Sequence, residues 1–206
     1  MSADIITAIF LFALASTITP GPNNIMLTSA GLNFGVQRCV GMAAGIYIGF
    51  PVMVIAVGLG LGAVFSSFPN ILKIMNIVGI SYLLYLAYGI ATSEPQDLSQ
   101  DSNAHTSKPP GFIQMALFQW VNPKAWIMAT GAVATFVQPH ISPSQQVLII
   151  SAIFFLVAIP CTMLWLTFGA KLRMLIGSPE SQRMFNQLMA IILVVSLVPI
   201  FKNFFG

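Results

Sequence analysis

Two short polar stretches carry the residue types in this chain that can bind a charged ligand. They are TPGPNN at 19–24 and VNPKAW at 121–126, and each interrupts an apolar segment. Lys124 places an ammonium group well inside such a segment, where no aspartate or glutamate shares its depth. A cation in that position suits a ligand carboxylate, and it is also a candidate proton carrier. The candidate binding residues are Pro20, Gly21, Pro22, Asn23, Asn24, Asn122, Pro123 and Lys124.

Both stretches are predicted to break a helix in the same way. Pro22 and Pro123 lack the backbone N–H of a helix interior, so each frees a carbonyl one turn earlier. The neighbouring asparagine side chains can satisfy the freed groups or reach a ligand. Two simpler interpretations stay open: a proline kink that only improves packing, and a Lys124 side chain that snorkels to the membrane interface.

The composition requires lipid as the solvent. Hydrophobic residues make up 57% of the 206 residues and charged residues 6%, whereas a soluble domain carries about 25% charged residues. The net charge of +3 forms no cluster, which argues against a nucleic-acid partner. Cys39 and Cys161 stand in no metal-ligand spacing. We therefore expect neither a metal nor a cofactor.

Six apolar stretches reach the length of about 20 residues that a transmembrane helix needs. They cover residues 5–29, 40–62, 70–92, 111–136, 145–169 and 184–204. The stretch before Pro20 has no basic residue, so it is predicted to be a retained span and not a cleaved signal peptide. A polar linker at 92–110 separates 1–91 from 111–206, and each of these halves holds three predicted spans.

Basic residues predict the orientation, because they concentrate in loops on the inner side of the membrane. With the N-terminus outside, the inner loops hold Arg38, Lys108, Lys171, Arg173 and Arg183, and the outer loops hold Lys73 and Lys202. We therefore predict that both termini lie outside.

Prolines recur in the same order in the two halves. Pro22 matches Pro123 at an offset of 101 residues, and Pro51 matches Pro160 at an offset of 109. Chance similarity between apolar segments is the alternative to duplication. Because each half has an odd number of spans, the second half must enter the membrane from the opposite side. The predicted fold is an all-α membrane protein of two inverted three-helix repeats, with broken first and fourth helices. This architecture is typical of secondary transporters.

A row of glycines marks the second span. Gly41, Gly45 and Gly49 recur every four residues, a spacing that lets another helix approach closely. Helix packing is the ordinary meaning of such a row, and a sliding surface for gating is the functional one.

TPGPNN, the glycine row and NPKAW together resemble the LysE/RhtB family of amino-acid exporters, over essentially the whole chain. The stretches GMAAGIYIGF, IATS and FQWVNPK are most similar to its cysteine and O-acetylserine exporters. The resemblance implies a bacterial inner-membrane protein that moves small amino acids outward, driven by the proton gradient. Many members carry an acidic residue just after the glycine row, where this chain has Phe50. That departure argues against a carboxylate relay in this span and against a basic substrate.

The sequence therefore predicts a transporter and not an enzyme. It would export small neutral amino acids by alternating access, with protons as the coupling ion and the lipid bilayer as its surroundings. A passive channel for small polar metabolites is the first alternative. An intramembrane enzyme is the second, although the predicted spans hold no histidine or acid suited to catalysis. The sequence leaves the oligomeric state open, and a homo-oligomer is compatible with it.

Overall fold

The structure, a computed structural model, describes residues 1–61, 67, 69–93, 108–138, 141–176 and 178–198. These residues form eight α-helices and no strand, which confirms the all-helical fold class. The helices are α1 Ala3–Ile18, α2 Pro22–Arg38, α3 Val40–Ala56, α4 Pro69–Ala91, α5 Phe112–Val121, α6 Pro123–Phe136, α7 Pro143–Leu175 and α8 Pro179–Val195. A π-helical turn, Val57–Leu61, continues α3. Most of the predicted linker, 94–107, lies outside the described residues.

Prolines set where several of these helices begin. Pro22, Pro123, Pro143 and Pro179 each open a helix. Proline is favoured there because a backbone N–H in the first turn has no acceptor within the helix, so the lack of one in proline costs nothing. The fixed φ of proline also suits a helix. Each predicted break is therefore also the start of a new helix.

Length and composition identify fewer membrane spans than the six predicted. Among the described residues, Val40–Leu61 and Pro143–Leu175 are long and apolar enough to cross a membrane. The pair Ala3–Ile18 and Pro22–Arg38, bent by 53°, gives a third if it counts as one span. Ile77–Ala91 and Phe112–Val121 are shorter apolar helices. The arrangement of two inverted repeats therefore stays a prediction.

The long helix α7 organises the packing. Its 33 residues reach about 50 Å at 1.5 Å per residue, and it contacts α1, α2 and α3. Two glycines allow α2 and α7 to approach closely. A Cβ at Gly31 would overlap the Leu166 carbonyl, and one at Gly169 would overlap the Thr28 carbonyl.

The glycine row of α3 faces α5 over part of its length. A Cβ at Gly45 would overlap the Phe112 carbonyl, and one at Gly49 would lie 2.7 Å from the Ala116 Cα. At Gly41 the nearest atom would be 3.9 Å away, so this position has room for a side chain.

The buried apolar residues form two clusters. One joins α2, α4, α5, α8, the first half of α3 and Leu166 of α7. The other joins α1, α6, the second half of α3 and the first half of α7. Since α1 and α6 belong to one cluster and α2 and α5 to the other, both helix breaks lie where the two clusters meet.

Candidate functional site

The two helix breaks contact each other through Lys124. Its Nζ donates to the carbonyl oxygen of Thr19 over 2.7 Å and lies 3.4 Å from that of Pro20. The carbonyls at the end of a helix carry partial negative charge, and the end of α1 therefore attracts a cation. Among the described residues, the backbone of the first break supplies the hydrogen-bond partners of the Lys124 ammonium.

Side chains also satisfy the carbonyls that precede the break. Asn24 Nδ2 donates to the carbonyls of Thr17 and Thr19, both over 2.9 Å. Trp165 Nε1 donates over 3.2 Å to the carbonyl of Ile18, the group that Pro22 leaves without its helical donor. Asn24 therefore fills the first of the two roles predicted for the asparagines, the satisfaction of freed backbone groups.

The second break positions Lys124. The Asn122 side chain caps α6 by accepting from the Lys124 backbone N–H over 3.1 Å. Lys124 thus lies in the first turn of α6, and its side chain extends across Gly21. A Cβ on Gly21 would lie 2.8 Å from Lys124 Cδ and 3.0 Å from Nζ. A larger residue at Gly21 would therefore displace the lysine side chain.

A second link between the breaks joins Asn23 and Gln119. Asn23 Nδ2 donates to Gln119 Oε1 over 2.9 Å, and Gln119 Nε2 donates back to Asn23 Oδ1 over 3.2 Å. Gln119 is fully buried. Gln119 was not among the binding residues predicted from the sequence, although a glutamine within an apolar run three residues before Asn122 is a usable signal.

A cavity of about 40 Å³ lies at this junction. Its polar lining residues, apart from Lys124, are Ser16, Thr17, Asn23, Asn24, Asn122 and Thr162. Its larger apolar lining residues are Ile46, Phe50 and Met128. Among the described residues that line the cavity, Lys124 is the only charged one.

Phe50 forms part of the apolar wall of this cavity. Its side chain is buried, and its ring centroid lies 5.0 Å from that of Phe154 in an edge-to-face contact. The position at which the resemblance led us to look for an acid is therefore an aromatic contact facing the same space as Lys124.

A larger cavity of about 430 Å³ lies towards Lys108. Ser29 and Asn33 are its buried polar lining residues. The amides of Asn33 and Asn186 exchange two hydrogen bonds of 3.1 Å and so join α2 to α8. Asn33 and Asn186 were not among the binding residues predicted from the sequence.

The structure gathers most of the predicted binding residues. Gly21, Asn23, Asn24, Asn122 and Lys124 line the small cavity. The other three act through the backbone, since Pro20 presents its carbonyl and Pro22 and Pro123 open helices. The glycine row lies apart, on the contact between α3 and α5. Within the described part of the chain, no three His, Cys, Asp or Glu residues are placed to hold a metal ion.

Comparison with known proteins identifies the family. The family model described as LysE type translocator matches residues 14–197. The cysteine/O-acetylserine efflux proteins of Salmonella choleraesuis (strain SC-B67) and Salmonella typhimurium are each 30% identical over 98% of this chain and 100% of their own length. The protein of that name from Escherichia coli (strain K12) is 26% identical over the same shares.

No solved structure matches this chain significantly. The family match and the apolar helices make the chain a multi-pass membrane protein. Because the family model covers most of its length, the chain belongs to the LysE type translocator family.

Proposed function

We propose that this protein exports small neutral amino acids of the cysteine and O-acetylserine type across the bacterial inner membrane. Relatives named for the efflux of these two compounds align with 98% of the chain. The structural observation that carries the proposal is the contact of Lys124 Nζ with the Thr19 carbonyl, 2.7 Å apart at the junction of two broken helices.

This contact supports recognition of an amino-acid zwitterion by exchange of partners. The ammonium of a substrate can take the place of the lysine ammonium against the carbonyls of Thr19 and Pro20, at the negative end of α1. The Lys124 ammonium, once released, can pair with the substrate carboxylate. Each charge on the substrate then has a partner, and no protein charge is left alone in a poorly hydrated site.

The lining supports a substrate with a neutral side chain. A cationic side chain such as that of lysine would need an acidic partner, and the described lining residues include no carboxylate. Phe50 and Ile46 instead offer an apolar wall.

The size of the cavity favours a carrier over a channel. A volume of about 40 Å³ holds only a few water molecules. An amino acid therefore enters only if the helices around the breaks move apart. A protein that must change shape to admit its substrate suits alternating access, in which broken helices surround a site near the middle of the membrane. In this proposal Lys124 is also the proton carrier.

The larger cavity is suited to be the route by which substrate reaches the small cavity from the side of the membrane that holds the linker. Successive turns of α3 join the two cavities, since Met42 lines the larger one and Ile46 the smaller. On α2, Ala30 lines the larger cavity and Asn23 the smaller. Lys108, which also lines the larger cavity, belongs to the side that the basic residues predict to be cytoplasmic.

Counterflow of labelled cysteine into proteoliposomes loaded with unlabelled cysteine tests the proposal. The parent protein should show saturable counterflow, and Lys124→Met should reduce it by at least about tenfold, as expected for the loss of a charged hydrogen-bond donor. Lys171→Met, at an exposed position of α7, is the matched control and should transport like the parent. Equal counterflow by Lys124→Met and Lys171→Met would contradict the role of Lys124. No counterflow of any small neutral amino acid by the parent would contradict the function.

A further inference from the structure

The hydroxyl of Thr17 is buried beside the small cavity without a partner. Its Oγ1 is shielded from solvent and has no hydrogen-bond partner among the described residues. Thr17 lines the cavity, as Lys124 does. A buried hydroxyl without a partner costs free energy, so each such group in a folded protein calls for an explanation.

Neighbouring hydroxyls behave differently. Ser16 Oγ donates to the Phe12 carbonyl over 2.6 Å, and Thr162 Oγ1 donates to the Ile159 carbonyl over 3.0 Å. Both of these residues also line the cavity. The hydroxyl of a serine or threonine in a helix commonly donates to the backbone carbonyl three or four residues earlier. Thr17 is the exception among these three residues, so its hydroxyl keeps its hydrogen-bonding capacity for a substrate that enters when the helices around the breaks move apart.

We infer that Thr17 forms the subsite for the substrate side chain and selects amino acids whose short side chain can hydrogen-bond. This inference rests on the proposed function. The class comprises side chains that end in a hydroxyl, a thiol or an ester carbonyl. A threonine hydroxyl can donate to a carbonyl oxygen and accept from a thiol or hydroxyl. Lys124 and the Thr19 carbonyl hold the groups common to all amino acids, and Thr17 distinguishes among their side chains.

The physical basis of the selection is the cost of leaving the hydroxyl unpaired. An apolar side chain of the same size would fill the space but would leave the buried Thr17 Oγ1 without a partner. Sites built around a buried polar group reject analogues that lack the matching group far better than apolar pockets reject an added one.

Competition against counterflow of labelled cysteine tests the inference. Serine and 2-aminobutyrate are the competitors, because they differ mainly by a hydroxyl in place of a methyl group. For each variant, the ratio of the two half-inhibiting concentrations is measured. Thr17→Val keeps the size of the side chain and removes the hydroxyl. It should shift this ratio by about tenfold towards 2-aminobutyrate, as expected for one hydrogen bond at a buried group.

Three further variants make the result specific. Thr17→Ser retains a hydroxyl and should keep the parent ratio, whereas Thr17→Ala should shift it as Thr17→Val does. If Thr17→Val does not fold, the ratios measured for Thr17→Ser and Thr17→Ala test the inference in its place. Thr167→Val is the matched control, because Thr167 is also half-buried but donates to the Met163 carbonyl of its own helix. It should leave the ratio unchanged.

An unchanged ratio in Thr17→Val would overturn the inference while leaving the proposed function standing. If competition by serine and by 2-aminobutyrate weakens equally, the ratio is also unchanged, which would mean that the hydroxyl holds a water molecule or supports the fold. A parent protein without counterflow of any amino acid would instead contradict the proposed function, and the inference would fall with it.

Discussion

The side-chain amides of Asn23 and Gln119 exchange two hydrogen bonds, of 2.9 and 3.2 Å, between the first turn of α2 and the last turn of α5. The residues are 96 positions apart in the chain. Their pairing holds the start of the helix after the first break against the end of the helix before the second. Together with the contact between Lys124 and Thr19, it gives the junction two independent polar links.

A double-mutant cycle on Asn23 and Gln119 should show strong coupling. Asn23→Ala and Gln119→Ala should each lower the free energy of unfolding by about 1–3 kcal/mol, because each removes the two hydrogen bonds between the amides. The double variant should lose less than the sum, since it removes both amides. Thermal unfolding of purified protein in detergent measures this, and strictly additive losses would contradict the pairing.

Gly21→Ala should impair transport more than stability. The added Cβ would lie 2.8 Å from Lys124 Cδ, and a flexible lysine can move aside at little cost to the fold. Gly21 has an extended backbone conformation, with φ −175°, so alanine is not strained there. The displaced ammonium would no longer lie where it meets the substrate carboxylate, and counterflow should fall by about tenfold, the value of one charged hydrogen bond.

Gly131→Ala is the matched control for Gly21→Ala, because Gly131 lines neither cavity. A Cβ at Gly131 would lie 3.8 Å from its nearest neighbour, Phe12 Cζ, and alanine is favoured over glycine in a helix by about 1 kcal/mol. This variant should transport like the parent and be at least as stable. A Gly21→Ala protein that transports equally well would show that the position of Lys124 does not limit transport.

The helix breaks could be predicted from the sequence because proline acts locally. Pro22 and Pro123 remove a donor wherever they stand, so the positions at which α2 and α6 begin follow from the chain alone. The position of Lys124 at a break was equally visible, and a cation within an apolar run is costly unless it faces a polar partner or water.

The partners of these residues could not be predicted in the same way. Every residue has a carbonyl, so nothing in the sequence marks that of Thr19 as the acceptor for Lys124. The pairing of Asn23 with Gln119 depends on how α2 meets α5, which is a property of the folded chain. The glycine row is similar: its members are equivalent in sequence, but α5 approaches Gly45 and Gly49 much more closely than Gly41.

The two native cysteines should be unreactive in the folded protein. Cys39, which lies between α2 and α3, is fully buried, and Cys161 is 3% exposed. Burial raises the pKa of the Cys39 thiol to about 11, against a smaller opposing effect of Arg38. A raised pKa keeps the thiol protonated at pH 8, where only about one molecule in a thousand would carry the reactive thiolate.

Maleimide labelling in detergent measures this shielding. Labelling at pH 8 should be far slower than that of a free thiol, and denaturation should release two reactive thiols per chain. Rapid labelling of the folded parent protein would contradict the burial of these residues.

Because both native thiols are shielded, the parent protein should give a low background of labelling when the orientation is tested. Ser2 and Thr92 are both exposed and lie at opposite ends of the first half of the chain. The excess of basic residues in one set of loops predicts that Ser2 is outside and Thr92 inside. A membrane-impermeant maleimide applied to intact cells should therefore label Ser2→Cys and spare Thr92→Cys.

Permeabilised cells should give label at both positions, which shows that each thiol is reachable. Labelling of Thr92→Cys alone in intact cells would invert the orientation, and with it the side from which the larger cavity is loaded.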